Sequence, residues 1–127
     1  MFEITIERQF SAAHAIRLYD GSLEPVHGHN WSVRVTVGRD ELDEIEVVTD
    51  FHDLENQLNA LITRADNNNL NAITPFCDGA GGLAVNPTAE RVAWWIGTEV
   101  AKHLANKVRL VSVEVGEAPG CTATYRP

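Results

Sequence analysis

The segment 26–37 limits what this chain can fold into more than any other. From Trp31 onward its apolar residues alternate with polar ones, which is the two-residue period of a β-strand with one buried face. By the same count, His27 and His29 lie on the face that carries Trp31 and the valines. Two imidazoles therefore stand side by side at the end of an apolar sheet face. They offer two neutral nitrogen ligands to a transition metal, and zinc needs at least a third protein ligand.

A third histidine comes from the preceding strand. Residues 2–15 also alternate, so they predict a long half-buried strand, and His14 falls on its apolar face. A lone histidine in such a position is more often a hydrogen-bonded core residue than a ligand. The turn sequence at residues 20–22, Asp-Gly-Ser, joins the two strands, and their antiparallel pairing brings His14 next to His27 and His29. Three imidazoles with an open fourth position are the pattern of a catalytic zinc site.

The rest of the chain predicts two helices followed by two strands. Asp50 is a good N-cap, and residues 51–65 carry apolar side chains at helical spacing for about four turns. A second helix begins within residues 86–90, with Asn86 or Thr88 as its cap. Strand alternation returns in residues 111–116 and 121–126. The order ββααββ predicts an α+β fold, an antiparallel four-stranded sheet with two helices on one face.

The first of the two closing strands carries a carboxylate on its apolar face. Counting by two from Val113 and Val115 places Glu117 among the valines. A charge in that position costs several kcal/mol unless it has a partner. A purely structural role for the protein, without any ligand, is therefore disfavoured.

Composition narrows the classes of function. The 127 residues, with 44% apolar content, suit one domain, residues 1–127, with a modest core. The net charge of −8 argues against a nucleic-acid-binding surface and for small ligands. No stretch approaches the roughly 20 apolar residues that cross a bilayer, and the first residues form no targeting segment, so we expect a cytoplasmic protein without a membrane partner. Cys77 and Cys121 form no CxxC pair, and we expect free thiols.

Six short motifs, spread over nearly the whole chain, occur together in the order of a known family. They are Phe10-Ser11-Ala12-Ala13-His14; His27-Gly28-His29-Asn30; Asp50-Phe51 with Leu54; Asp66 with Leu70-Asn71; Asn86-Pro87-Thr88-Ala89-Glu90; and Val113-Glu114-Val115-Gly116-Glu117 followed by Tyr125. Any one of them is weak, whereas six in order are specific. The chain resembles the 6-pyruvoyltetrahydropterin synthase and 6-carboxytetrahydropterin synthase family, which belongs to the T-fold group.

This resemblance implies a cofactor, a ligand and an assembly. It implies zinc on His14, His27 and His29, and it makes Glu117 the carboxylate that grips the pterin ring. Thr88 matches a family position near the pterin, and it is equally well interpreted as a plain helix cap. The family acts as a lyase on dihydroneopterin triphosphate, whose side-chain hydroxyls a bound zinc acidifies. Its subunits form trimers with a twelve-stranded barrel, and two trimers stack as a homohexamer.

At two positions where the family has a proton-transferring residue, this chain has a different residue. The synthases that it resembles place a cysteine four residues before the first histidine of His-Gly-His, where this chain has Leu23. They follow the aspartate of a Leu-Asp-His motif with a histidine, where this chain has Asn67 after Asp66. Asp66 remains a predicted catalytic residue, and losing a positioned acid or base costs about 10²- to 10⁴-fold in rate. We therefore expect a pterin-binding protein with altered or lost synthase chemistry.

An alternative interpretation keeps the site active. Glu24 stands in the spacing Glu-x-x-His-Gly-His, which is similar to a folate-pathway branch of the family. In that branch a glutamate replaces the cysteine, and the product is 6-hydroxymethyldihydropterin. Glu24 would then be the general base of a zinc lyase. The other interpretation of Glu24 is a solvated loop residue.

Overall fold

Residues 1–127 are described from a computed structural model. In chain order the elements are β1 (Phe2–His14), β2 (His27–Arg39), α1 (Phe51–Ala65), β3 (Asn68–Asn69), a 3₁₀ turn (Leu70–Ala72), α2 (Ala89–Ala101), β4 (Arg109–Ala118) and β5 (Cys121–Tyr125). The strands form one sheet in the order β3-β1-β2-β4-β5. The pair of β3 with β1 is parallel, and the other pairs are antiparallel. The predicted α+β fold, with its two helices and four main strands, is confirmed.

The sheet has one strand more than the four that the sequence predicts. After α1 ends, Asn67 adopts a left-handed backbone conformation with a φ of 58°, which asparagine tolerates better than most residues. The chain then turns back, and β3 pairs with Ala12 and Ala13 of β1. A strand of two residues has too few positions to show an alternating pattern. The sequence of this segment therefore predicts only the end of the helix.

The pairing of β1 with β2 explains how the three histidines meet. The two thirteen-residue strands run antiparallel in unbroken register, and the last pair sets His14 opposite His27. His29 lies opposite Ala12, two residues back along β1. Opposed residues and residues two apart share a face of the sheet. The three imidazoles therefore project from the same face at the same end of the hairpin.

A hydrophobic core fills the space between this face and the helices. Trp31 is fully buried, its ring stacks on Phe10 with centroids 5.9 Å apart, and its Nε1–H donates to Ala12 O over 3.1 Å. The fully buried valines of β2 and α2 are Val33, Val35, Val37, Val92 and Val100. Each such side chain contributes about 1.5–3 kcal/mol by its burial. The strand ends that carry the histidines are therefore attached directly to the core.

Both helices begin at a capped residue. Asp50 Oδ1 accepts the N–H of His52 over 2.8 Å at the start of α1, and Thr88 Oγ1 accepts the N–H of Arg91 over 3.1 Å at the start of α2. Of the two caps that the sequence allows for α2, Thr88 is the one used. No helix has the length and hydropathy that a membrane span requires.

Candidate metal and ligand site

Four side chains from three strands converge at one end of the sheet. His14 ends β1, His27 and His29 begin β2, and Glu117 lies near the end of β4. One potential ligand atom from each of the four lies within 4.8 Å of the other three. The imidazole centroids are 4.7, 5.1 and 4.8 Å apart, and the rings are steeply inclined to one another. The structure thus brings together the three histidines predicted to bind metal, and it adds a carboxylate to them.

Strand alternation places Glu117 on the face of the histidines, and a β-bulge lies at the same residue. The pairing of β4 with β5 shifts register between Gly116 and Ala118, which leaves Glu117 as the extra residue. The Oε1 atom of Glu117 lies 2.8 Å from His14 Nε2 and 3.4 Å from His29 Nε2. The carboxylate that strand counting places among valines therefore lies against two imidazoles.

Backbone carbonyls select the tautomer of two histidines. His14 Nδ1 lies 2.8 Å from the carbonyl oxygen of Pro87, and His27 Nδ1 lies 2.9 Å from that of Pro25. Because a carbonyl can only accept, each Nδ1 carries the hydrogen and donates it. In the neutral ring the Nε2 atom then keeps its lone pair. Nε2 is the atom that faces the cluster. A backbone partner on the far nitrogen is the usual way in which proteins orient a metal-binding histidine.

Two nitrogen atoms of the cluster lack a hydrogen-bond partner. The Nε2 atoms of His14 and His29 are buried and make no hydrogen bond of acceptable geometry, although Glu117 Oε1 is close to both. A buried polar atom left unpaired costs about 1–3 kcal/mol. Burial also lowers the pKa of His29; the Glu117 carboxylate opposes this shift, and His14 and His27 add to it. Burial therefore favours a neutral His29, which is the form that binds a metal.

The donor set of this cluster suits zinc. Neutral imidazole nitrogens and a carboxylate oxygen are ligand types that Zn²⁺ takes in tetrahedral sites. A cation at the centre would give partners to the two orphaned Nε2 atoms and would offset the charge of Glu117. The residues present therefore fit the zinc ion that the sequence predicts.

A cleft beside the cluster contains both residues predicted to bind substrate. Its volume is about 250 Å³, and its walls include Thr88 and Glu90 from the start of α2, Glu117 from β4 and Cys121 from β5. A larger depression of about 580 Å³ reaches His29 and Glu117 from another direction. Glu117 is thus accessible from two sides, and Cys121, which no sequence pattern links to the site, lies in the same cleft.

Glu24 lies on the flank of the cluster next to His27. Its Oε1 atom accepts the N–H of Ile16 over 2.9 Å and lies 3.9 Å from His27 Nε2. The side chain is 27% exposed, so it is held in place and is not freely solvated. The structure brings this residue to the site, and its role as a base stays a prediction.

Asp66 makes its contacts away from the imidazoles. Its Oδ1 atom accepts the N–H of Ser11 over 2.9 Å, and the N–H of Asn67 donates to Ser11 O over 2.6 Å. The two residues that follow α1 thus attach the helix end to β1. Asp66 has no hydrogen bond or ion pair with the four side chains of the cluster, and its catalytic role stays a prediction.

Sequence reasoning did not find the partners of the histidine rings. The carbonyl groups of Pro25 and Pro87 accept from His27 and His14. Because every residue has a backbone carbonyl, no residue type or spacing marks these two. The motif at residues 86–90 predicts a helix start and a pterin contact at Thr88, but no partner for His14.

The fold and the site together define a class of protein. It is an α+β chain in which a hairpin and a bulged strand place three histidines and a glutamate where they can hold a metal ion. The sequence model described as 6-pyruvoyl tetrahydropterin synthase matches residues 3–127. The chain belongs to this family, as its motifs predict.

Relatives with known names agree with this membership. The chain is similar to dihydroneopterin monophosphate aldolase of Pyrococcus furiosus, with 31% identity over 116 residues that cover 90% of this chain and 88% of the relative. It is also similar to 6-carboxy-5,6,7,8-tetrahydropterin synthase of Bacillus subtilis, with 35% identity over 131 residues, 99% of this chain and 86% of the relative. The structure of Caenorhabditis elegans 6-pyruvoyl tetrahydropterin synthase superposes with a TM-score of 0.78 at 26% identity, covering 100% of this chain and 97% of that one.

Proposed function

We propose that this protein binds zinc and a dihydropterin at the histidine cluster, with acid–base chemistry that differs from that of thiol-dependent synthases. The convergence of three imidazole Nε2 atoms and Glu117 beside the cleft that contains Thr88 is the observation that carries this proposal. Family membership supports a role in pterin metabolism.

The proposed zinc ligands are His14, His27 and His29. When bound, zinc supplies a Lewis acid that acidifies a side-chain hydroxyl of the pterin and stabilises the resulting oxyanion. The chain itself orients the ligands through the carbonyls of Pro25 and Pro87. It also shields one ligand from water, because His14 is almost fully buried against Trp31.

Glu117 and Thr88 are the proposed contacts of the pterin ring. A carboxylate accepts two adjacent N–H donors from the pterin edge, and such a charge-assisted pair fixes orientation. The Thr88 hydroxyl accepts from Arg91 N–H as a helix cap, and its own hydrogen remains available to a ligand. The two interpretations of Thr88, as a cap and as a ligand contact, are therefore compatible.

The proposed change in chemistry follows from two residues. Leu23 stands where the family's thiol is expected, and Asn67 stands where a histidine is expected. Leucine carries no proton, and the amide of asparagine does not titrate near neutral pH. The nearest carboxylate to His27 is Glu24, so a proton-transfer reaction at this site would depend on Glu24 instead of a thiol.

A second candidate function is therefore a lyase that uses Glu24 as its base. The position of Glu24 Oε1, 3.9 Å from His27 Nε2, favours it, and one similar protein is named an aldolase of dihydroneopterin monophosphate. In this reaction Glu24 takes the proton of the 2′-hydroxyl on the dihydroneopterin side chain, and the C1′–C2′ bond breaks as a carbonyl forms at C2′. The electron pair of the broken bond passes into the C6=N5 imine of the pterin. The proton that Glu24 took then returns to C1′. The products are 6-hydroxymethyldihydropterin and an aldehyde that carries the phosphate.

We also propose that the chain assembles as a homohexamer, a dimer of trimers. The sheet ends at β3 and β5, which have two and five residues, and their outer edges have no partner strand within the chain. Open sheet edges are ready to pair with another chain. Large apolar side chains are also exposed, namely Phe2, Leu18, Leu23, Val26, Ile45 and Phe51. Light scattering on the purified protein should give the mass of a hexamer, and a monomer would contradict this proposal.

The main proposal is tested by titrating the zinc-loaded protein with 7,8-dihydroneopterin in a calorimeter. We expect saturable binding that weakens about 10- to 150-fold in Glu117→Gln. The same samples, incubated with dihydroneopterin triphosphate and monophosphate, separate binding without turnover from the lyase. Absence of any pterin affinity in the zinc-loaded protein would overturn the main proposal, and absence of product after long incubation would overturn the second.

A further inference from the structure

The three residues that follow β1 continue its hydrogen bonding without a partner strand. The ladder between β1 and β2 ends at the pair of His14 with His27. Beyond it, Ala15, Ile16 and Arg17 each donate a backbone N–H to a side-chain oxygen, over 2.8, 2.9 and 2.8 Å respectively. Each of their carbonyls also accepts a hydrogen bond. The segment 15–17 is thus fully paired, although beyond the ladder its only β pairing is the isolated bridge of Arg17 with Leu23.

Two asparagines supply the outer contacts of this segment. Asn71 Oδ1 accepts from Ala15 N–H, and Asn71 Nδ2 donates to Ala15 O, both over 2.8 Å. Asn86 Oδ1 accepts from Arg17 N–H over 2.8 Å, and its Nδ2 donates to Arg17 O over 3.1 Å. A primary amide offers one donor and one acceptor side by side, as a backbone peptide does. Each asparagine therefore replaces one residue of a missing strand.

Glu24 pairs with the residue between the two asparagine contacts. Its Oε1 atom accepts from Ile16 N–H, and its backbone N–H donates to Ile16 O over 3.0 Å. The carboxylate that lies beside His27 is therefore held by a peptide unit whose neighbours on both sides are fixed by Asn71 and Asn86.

Asn86 is also linked to the ring of His14. The next residue, Pro87, provides the carbonyl that accepts the Nδ1–H of His14. A single peptide unit therefore separates the bond to Arg17 from the bond to the imidazole. A shift of Asn86 away from Arg17 would move the carbonyl that orients His14.

We infer that Asn71 and Asn86 are positioning residues of the metal site, which act by clamping the segment 15–17 between His14 and Glu24. This inference rests on the proposed zinc site. The clamp holds one metal ligand and the neighbouring carboxylate in a fixed relation, and neither asparagine touches the metal ion or the substrate. Removing a residue that orients a metal ligand typically weakens metal binding about 10- to 100-fold.

The test compares zinc affinity in the full chain and in Asn86→Ala, Asn86→Asp and Asn71→Asp. The aspartate variants keep the size of the side chain and the acceptor oxygen, so they provide folded protein if the alanine variant does not fold. Asn59→Ala is the matched control. Asn59 lies on α1, and its side chain likewise accepts a hydrogen bond from a distant residue, in this case from Arg8 Nε over 3.1 Å. Competition with a chromophoric chelator measures zinc affinity, the visible spectrum of the Co²⁺-loaded protein reports ligand geometry, and thermal unfolding of the metal-free protein measures stability.

We expect zinc affinity to fall about 10- to 100-fold in Asn86→Ala, with an altered Co²⁺ spectrum, and to fall less in the aspartate variants. Asn59→Ala should bind zinc like the unmodified chain. Clamp variants that are folded and bind zinc as tightly as the unmodified chain, with an unchanged Co²⁺ spectrum, would overturn the inference even if their melting temperature is lower. An unmodified chain that does not bind zinc would instead overturn the proposed metal site itself.

Discussion

His14 Nδ1 lies 2.8 Å from the carbonyl oxygen of Pro87, which joins the last residue of β1 to the residue before the N-cap of α2. The same helix start carries Thr88, which lines the proposed pterin cleft together with Glu117. A single hydrogen bond therefore connects the candidate metal site to one wall of the candidate ligand site. Displacement of either the end of β1 or the start of α2 is expected to affect both the metal site and the ligand site.

Loss of one imidazole should remove zinc without unfolding the chain. His27 is suitable because its side chain is 41% exposed, so His27→Gln leaves little buried volume empty. We expect zinc affinity to fall by more than the roughly 10- to 100-fold that loss of an orienting partner costs, measured by metal analysis after dialysis against a chelator. His52→Gln is the control, since that side chain is 86% exposed on α1. Equal zinc retention by the two variants would show that His27 is not a ligand.

Neutralising Glu117 should weaken pterin binding. Hydrogen bonds to a charged group contribute about 1.5–3 kcal/mol, which corresponds to roughly a 10- to 150-fold loss of affinity in Glu117→Gln. Glu114→Gln is the matched control, because Glu114 is on the same strand and faces Arg34. Calorimetry of both variants with 7,8-dihydroneopterin makes the comparison. A Glu117→Gln variant with unchanged affinity would exclude the carboxylate as the pterin contact.

Bound pterin should protect one thiol and not the other. Cys121 is exposed and lines the cleft with Thr88 and Glu117, whereas Cys77 lies in the loop before α2 and is not part of it. Alkylation with iodoacetamide, followed by mass spectrometry, gives the rate at each cysteine in one sample. We expect dihydroneopterin to slow the reaction of Cys121 alone. Equal rates at Cys121 with and without saturating ligand would place the ligand elsewhere.

If the protein has lyase activity, that activity should depend on Glu24. Glu24→Gln keeps an oxygen that can accept from Ile16 N–H and removes the carboxylate that takes a proton. The turnover number should fall about 10²- to 10⁴-fold, with zinc content unchanged. Glu41→Gln, at an exposed loop position, is the control. Turnover that survives in Glu24→Gln would assign the proton transfer to another group.

Strand periodicity alone predicts most of the histidine cluster. The count of two along β1 and β2, with the hairpin pairing, places His14 beside His27 and His29 before any coordinates are known. The same count identifies Glu117 as an ionisable group on an apolar face. The cap at Asp50 predicts where α1 begins, and for α2 the sequence narrows the cap to Asn86 or Thr88. These features are local, so a short window of sequence contains them.

Features that depend on pairing between distant segments could not be predicted in this way. The strand β3 consists of two asparagines whose pairing with Ala12 and Ala13 no periodicity indicates. The bond between Glu24 and Ile16 and the bulge at Glu117 depend on tertiary register. A predicted acid–base residue, Asp66, forms its hydrogen bond with the backbone of Ser11 instead of with the imidazoles.

The central claim is that zinc binds among the three imidazoles, and anomalous diffraction at the zinc absorption edge tests it most directly. Crystals grown with zinc and 7,8-dihydroneopterin should show one strong anomalous peak per chain, bounded by the Nε2 atoms of His14, His27 and His29. Density for the pterin should lie in the cleft with its edge against Glu117. Crystals saturated with zinc that show no peak between the three imidazoles would contradict the account.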